Sequence, residues 1–188
     1  MNQRVSDKTR SILVGIFILA AYGVIASSIT ESRFLVLFAD VISGIAVIGI
    51  ALLMYPLFRK SSFILSISYL ILKVLEGGLM ILGGVLFIRS STQDLRSLIY
   101  NDFHIYIFIV SAFLFYFLLY RQKLIPGFIC LWGIAGIGAL SISTVLKLFD
   151  IHITVLDYFL VLIISNEIFL AFWLFVKGLN IRNSRHNL

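Results

Sequence analysis

The sequence predicts an all-α fold, a polytopic integral membrane bundle of six transmembrane helices with both termini in the cytoplasm. Hydrophobic residues make up 61% of the 188 residues, charged residues only 13%, and the mean hydropathy is +1.07. These values lie far outside the usage of soluble globular proteins. Six apolar stretches, each able to cross a bilayer as a helix of about 20 residues, use nearly the whole chain. We therefore expect a single membrane domain over residues 1–188.

The six stretches span residues 11–29, 34–58, 62–88, 103–120, 125–148 and 155–176, with polar or charged breaks between them. The first follows a basic leader and so resembles a signal peptide. Its apolar core exceeds the roughly 7–15 residues of such a peptide, and we predict a retained first helix. Strands of a membrane barrel would need only about 10 residues each, with polar alternation. The stretches are longer and lack that alternation, so we predict helical spans.

The longest connection lies between the third and fourth stretches, at residues 89–102. It contains Leu95, Leu98 and Ile99 at helical spacing. This spacing predicts either a short helix on the outer membrane surface or a solvated loop. The fifth stretch begins near Pro126, which can open a helix without losing a needed N–H.

Lysine and arginine residues are unequally divided between the two sides of the predicted bundle. Cytoplasmic loops of membrane proteins carry the excess of these residues, so we expect both termini inside. The richer side has ten: Arg4, Lys8, Arg10, Arg59, Lys60, Arg121, Lys123, Lys177, Arg182 and Arg185. The other side has four: Arg33, Arg89, Arg96 and Lys147.

Composition also argues against several classes of function. The net charge of +6 could suggest nucleic-acid binding, but the basic residues sit at helix ends as topology signals, so we expect the lipid bilayer and no nucleic acid as partner. Cys130 is the only cysteine, which excludes an intrachain disulfide and a cysteine-based metal cluster. Asp102 and His104 are only two potential ligands, too few to indicate a metal site. We expect neither a metal nor a cofactor, and no catalytic residue is assigned.

Charged residues in the middle of apolar stretches are the best indication of a site. A charged side chain at a helix centre costs about 2.5–3.5 kcal/mol on the insertion scale, so it needs a partner or a wet cavity. Lys73 and Glu76, three residues apart, lie on one helix face and can pair. Glu167, with Asn166 beside it, has no partner in its own stretch, and Lys73 is the obvious one across the bundle. Two carboxylates sharing one ammonium would leave an excess negative charge.

Asp40 completes the set of candidate binding residues, which is Lys73, Glu76, Asn166, Glu167 and Asp40. Asp40 lies about two turns inside the outer end of the second stretch. At that depth water or the headgroup region can reach it, and we expect it to line a cavity.

Several motifs resemble those of a bacterial membrane-protein family known as domain of unknown function 4386. They are Tyr69 to Glu76, Leu119 to Pro126 with Trp132 and Gly133, and Asn166-Glu167 followed by Trp173-Leu174 and Lys177-Gly178. The resemblance implies a six-helix inner-membrane protein and no known reaction. It also implies Arg at the position of Lys73. A lysine ammonium cannot make the bidentate contact to a carboxylate that an arginine guanidinium can make.

Three interpretations of function remain open. The first is a bundle that binds a small molecule or lipid at the midplane polar cluster, which predicts a cavity reaching both Glu76 and Glu167. The second is a proton-coupled transporter of a small solute. Similar depths of these two carboxylates in the two halves would suit an inverted repeat, and a transport path would require a homodimer. The third is an accessory protein that acts through a partner and in which the charged cluster only fixes helix register.

Overall fold

A computed structural model describes residues 2–26, 32–90, 93–149, 151 and 159–181. The regular structure of this part of the chain is helical, with no strand. It comprises α1 (Asn2–Ala21), α2 (Gly23–Ala26), α3 (Arg33–Phe58), α4 (Phe63–Ser90), α5 (Gln93–Leu98), a π-helix (Ile99–His104), α6 (Ile105–Arg121), α7 (Gly127–Lys147) and α8 (Phe159–Val176).

Long apolar helices confirm the predicted class of an all-α membrane bundle. Within the described ranges, five segments are long and apolar enough to span a bilayer: Asp7–Ile25, Arg33–Phe58, Phe63–Arg89, Leu95–Arg121 and Gly127–Lys147. A shorter apolar helix, Val161–Val176, occupies the place of the sixth predicted span. Residues 27–29 and 155–158 of the predicted first and sixth spans lie outside the described residues.

The connection at residues 93–102 is helical and runs without a break into α6. Residues 93–102 are therefore helical and not a loop, and the position of this helix at the outer membrane surface stays a prediction. Leu95 and Leu98 are exposed, whereas Ile99 is buried. The junction is the π-helix, where the backbone N–H of Ile105 bonds to the carbonyl of Tyr100, five residues earlier. Such segments are rare and are often found at functional sites.

The long helices pack as a closed ring. In the described chain, α3 packs on α4, α4 on α6, α6 on α7, α7 on α8, α8 on α1, and α1 on α3. The contact between α3 and α4 is the most extensive. It includes a close crossing at Gly44 and Gly77, where a Cβ on either glycine would meet the other's carbonyl oxygen at 2.5 Å. Small residues allow helix backbones to approach in this way.

Aromatic packing fills one end of the ring. Phe58, Tyr69 and Phe115, from α3, α4 and α6, lie with ring centroids 5.3–6.1 Å apart. Nearby, the side-chain amide of Gln122 donates to the carbonyl of Phe58 at 3.1 Å. The core therefore continues into the turn between α6 and α7.

Candidate functional site

Lys73 and Glu76 form an ion pair on α4. The ammonium nitrogen of Lys73 lies 2.9 Å from Oε2 of Glu76 and 3.0 Å from Oε1. Both residues are buried, with 7% and 2% exposure. The hydroxyl of Ser111 on α6 donates to Oε2 of Glu76, and the Lys73 nitrogen lies 5.5 Å from the centre of the Phe108 ring. The spacing of three thus brings the two charges together on one face, and α6 adds a further donor.

Glu167 of α8 is paired with a residue that the sequence analysis did not select. Tyr22, which lies between α1 and α2, donates its hydroxyl proton to Oε2 of Glu167 at 2.7 Å. Lys73 is not the hydrogen-bond partner that we expected, because its two polar contacts within the described chain both go to Glu76. Nothing in the sequence around Tyr22 indicates this contact, which joins residues 145 positions apart.

Asn166 points away from its neighbour Glu167 and toward α7. Its side-chain amide donates to the carbonyl of Ile129 at 3.0 Å. Its Oδ1 atom is buried and has no hydrogen-bond partner in the described residues. Adjacent residues of a helix are about 100° apart around the axis. Asn166 therefore faces α7, whereas Glu167 faces Tyr22. Asn166 is a contact between α7 and α8.

Asp40 lies in a second polar cluster with Arg96 and Tyr100. Arg96 donates from Nε and from one terminal nitrogen to the two carboxylate oxygens, both at 2.9 Å, and Tyr100 donates to Oδ1 at 3.0 Å. Asp40 has no exposed surface. The expectation that it lines a cavity is wrong, because these three donors, all from the segment predicted as an outer connection, cover its carboxylate.

A cavity of about 220 Å³ lies among α1, α3, α4, α6 and α8. Most of its wall is apolar. Its polar lining residues are Tyr22, Tyr69, Lys73, Glu76, His104 and Glu167. The structure thus brings three of the five predicted site residues to one cavity, and leaves Asp40 and Asn166 outside that set.

Two lining residues, Tyr69 and His104, carry buried polar atoms without a partner. The Tyr69 hydroxyl and Nε2 of His104 accept or donate no hydrogen bond within the described ranges. His104 instead packs on Tyr100 and Phe108, with ring centroids 5.1 and 6.3 Å apart. Helical spacing could have indicated Tyr69, since it precedes Lys73 by four positions and so lies on the same helix face.

The cavity wall offers both signs of charge together with neutral hydrogen-bonding groups. Lys73 has three N–H donors and shares two contacts with a single carboxylate. Glu167 has one described donor for its two oxygens. Such a wall can bind a polar group that both accepts and donates hydrogen bonds. Within the described chain, no group of three or more His, Cys, Asp or Glu residues is placed to hold a metal ion.

Comparison with known proteins gives one match. Residues 20–178 match the family model described as "Domain of unknown function (DUF4386)". This range contains all the polar lining residues of the cavity and supports the resemblance given by the sequence motifs. No curated protein and no solved structure matches the chain.

Proposed function

We propose that this chain, which belongs to the domain of unknown function 4386 family, binds a small amphiphilic molecule in the cavity among its membrane helices. The observation that carries the proposal is that the Tyr69 hydroxyl and His104 Nε2 have no hydrogen-bond partner among the described residues. Leaving a buried polar group without a partner costs about 1–3 kcal/mol. Both residues line the cavity that holds the Lys73 and Glu76 ion pair. A bound molecule whose hydrogen-bonding groups reached either atom would remove this cost.

The size and lining of the cavity support a small ligand with one polar end. A volume of about 220 Å³ is below the roughly 300–1,000 Å³ of sites for drug-sized molecules. The polar end of the ligand would contact Lys73, Glu76 and Glu167. Its apolar part would lie against residues such as Ile18, Ile50 and Met80, which line the same cavity.

A cavity-filling substitution tests this proposal. Ala112 lines the cavity and is 2% exposed, so Ala112→Leu would occupy ligand space. Ala135 on α7 is exposed, and Ala135→Leu is the matched control. Each protein is purified in one detergent, extracted with organic solvent and examined by mass spectrometry. We expect a small molecule that is near-stoichiometric in wild type and control and depleted about tenfold in Ala112→Leu, a difference of about 1.4 kcal/mol. Identical extracts from the three proteins would mean that no extracted molecule occupies the cavity, and would overturn the proposal.

Proton-coupled transport of a small solute is a second candidate function. It is favoured by the position of Glu76 and Glu167, because carboxylates from the two halves of the chain line one cavity. In this case Glu167 would gain and lose a proton as access alternates, and two copies of the chain would form the path. Solute uptake into vesicles with an imposed pH gradient, lost in Glu167→Gln, would support transport.

We also propose six spans in a bacterial cytoplasmic membrane, with both termini inside. Five apolar helices and the shorter helix Val161–Val176 would give an even number of crossings. The ten basic residues on one side against four on the other support the orientation. The bacterial location follows from the resemblance of the motifs to the family.

A further inference from the structure

A second cavity, of about 770 Å³, lies between the turn that joins α6 to α7 and the end of α8. Its wall includes three basic residues, Arg121, Lys123 and Lys177. These come from the end of α6, the following turn and the segment after α8. Two large aromatic residues, Tyr120 and Trp173, also line it. Two separate parts of the chain therefore bring positive charge to one pocket at the edge of the bundle.

Among the described residues, the three cations have no acidic partner. Neither a salt bridge nor a hydrogen bond joins Arg121, Lys123 or Lys177 to a carboxylate in the part of the chain that the structure describes. All three residues are exposed. Like charges repel one another, so an anion bound between them would lower that repulsion. A rule that enriches basic residues in cytoplasmic loops accounts for their side of the membrane. It does not account for their lining one cavity.

Hydrogen bonds attach the segment after α8 to the turn on the other side of the pocket and to α1. The N–H of Asn180 donates to the carbonyl of Leu124 at 2.7 Å, and the N–H of Leu179 donates to the hydroxyl of Ser11 at 3.0 Å. Lys123 has a φ of +52°, a left-handed conformation that is uncommon for residues other than glycine. The pocket is thus formed by an ordered turn and not by extended surface side chains alone.

We propose that this pocket binds the phosphate of an anionic phospholipid headgroup. Basic pockets between membrane helices on the cytoplasmic side are suited to such headgroups. A lipid is favoured over a free anion because the pocket lies at the ends of apolar helices. Trp173 and Tyr120 are also of the type that prefers the membrane interface. The site is separate from the cavity among the helices and does not depend on the function proposed for that cavity.

Thermal-shift titration with a short-chain phosphatidylglycerol tests the proposal. The variant Lys123→Gln/Lys177→Gln removes two pocket charges. The matched control Arg59→Gln/Lys60→Gln removes two exposed charges from the same predicted side but outside the pocket. We expect the apparent Kd of the pocket variant to rise about tenfold or more, with the control unchanged within about twofold. If the double variant fails to fold, Lys177→Gln alone should weaken binding in the same direction.

Two further probes separate the sources of phosphate. Short-chain phosphatidylcholine, which has no net charge, should not stabilise any of the proteins. Inorganic phosphate should not reproduce the stabilisation by phosphatidylglycerol. Equal responses of the pocket variant and the control to phosphatidylglycerol would overturn the proposal and leave the cations as topology signals. Equal stabilisation by inorganic phosphate would overturn the assignment to lipid.

Discussion

Arg96 holds the buried carboxylate of Asp40 through two parallel hydrogen bonds, each 2.9 Å long. The guanidinium also lies over the Tyr100 ring, 4.6 Å from its centre. Its side chain is 19% exposed and that of Asp40 is not exposed at all. A bidentate contact of this kind fixes orientation as well as charge. It attaches the helix before α6 to α3, across 56 positions of sequence.

Arg96→Ala should therefore be among the most destabilising single substitutions. Removing one partner of a buried ion pair leaves an uncompensated charge and costs about 3–5 kcal/mol. Arg96→Lys should recover only part of the loss, because an ammonium cannot make the two parallel bonds. Denaturant unfolding in one detergent measures both changes. Adding Asp40→Asn to Arg96→Ala should restore stability, and a strictly additive double variant would contradict the pairing.

Glu76→Gln and Glu167→Gln should differ in their effect on unfolding. Glu76→Gln takes the charged partner from buried Lys73 and should cost about 3 kcal/mol. Glu167→Gln keeps an oxygen to accept from Tyr22, so its cost should stay within about 1 kcal/mol. Unfolding of both single variants and the double variant in one detergent provides the test. Similar large losses with a non-additive double variant would indicate one ion network and favour the accessory interpretation.

Two tyrosines of the same cavity provide a matched pair of Tyr→Phe substitutions. Tyr22→Phe removes a hydrogen bond to a carboxylate, worth about 1.5–3 kcal/mol. Tyr69→Phe removes a hydroxyl that has no partner in the described residues, so it should be neutral or slightly stabilising in protein stripped of ligand. Thermal unfolding after detergent exchange measures both. A large loss in Tyr69→Phe would mean that its hydroxyl has a partner within the protein itself.

Gly44→Ala should separate α3 from α4, whereas Gly78→Ala should not. The added Cβ at Gly44 would lie 2.5 Å from the Gly77 carbonyl oxygen and 2.7 Å from Ile81. Forcing extra atoms into such a contact costs about 1–3 kcal/mol or more. Gly78 has no atom within 4 Å of the same position, and alanine there should gain about 0.5–1 kcal/mol from helix propensity. Equal unfolding temperatures of the two variants would contradict the close crossing.

Cysteine labelling in intact cells checks the predicted orientation. Cys130 is buried, and Cys130→Ala gives a background without thiols. On that background, Leu188→Cys should react with a membrane-impermeant reagent only after permeabilisation. Asn101→Cys, an exposed position on the predicted outer side, should react in intact cells. Labelling of Leu188→Cys from outside would overturn the orientation.

Local contacts of the site could be predicted from the sequence, but distant contacts could not. Lys73 and Glu76 lie three residues apart, so helix geometry alone brings them together. Glu167 was identified because a charge in an apolar stretch needs a partner, yet that argument does not say which helix supplies it. Tyr22 has no such signal, since a tyrosine near a helix end is ordinary in a membrane protein.

Asp40 and Arg96 show a second reason why distant contacts could not be predicted from the sequence. The segment around Arg96 is polar, so apolar length predicts an outer connection there and gives no contact for this arginine. In the structure its helix continues into α6 and turns the guanidinium toward α3. The position of Asp40 along its own helix predicts contact with water, but that position carries no information about a neighbouring helix that covers the side chain.

The π-helix at Ile99–His104 makes the number of residues in this segment as important as their identity. Each residue of an α-helix turns the chain by about 100°, whereas a turn closed by bonds five residues apart takes up one residue more. Arg96 before the π-helix contacts Asp40, and His104 at its end lines the cavity. Deleting one residue between them would rotate one contact out of phase with the other. Insertions and deletions here should be rarer among relatives than substitutions.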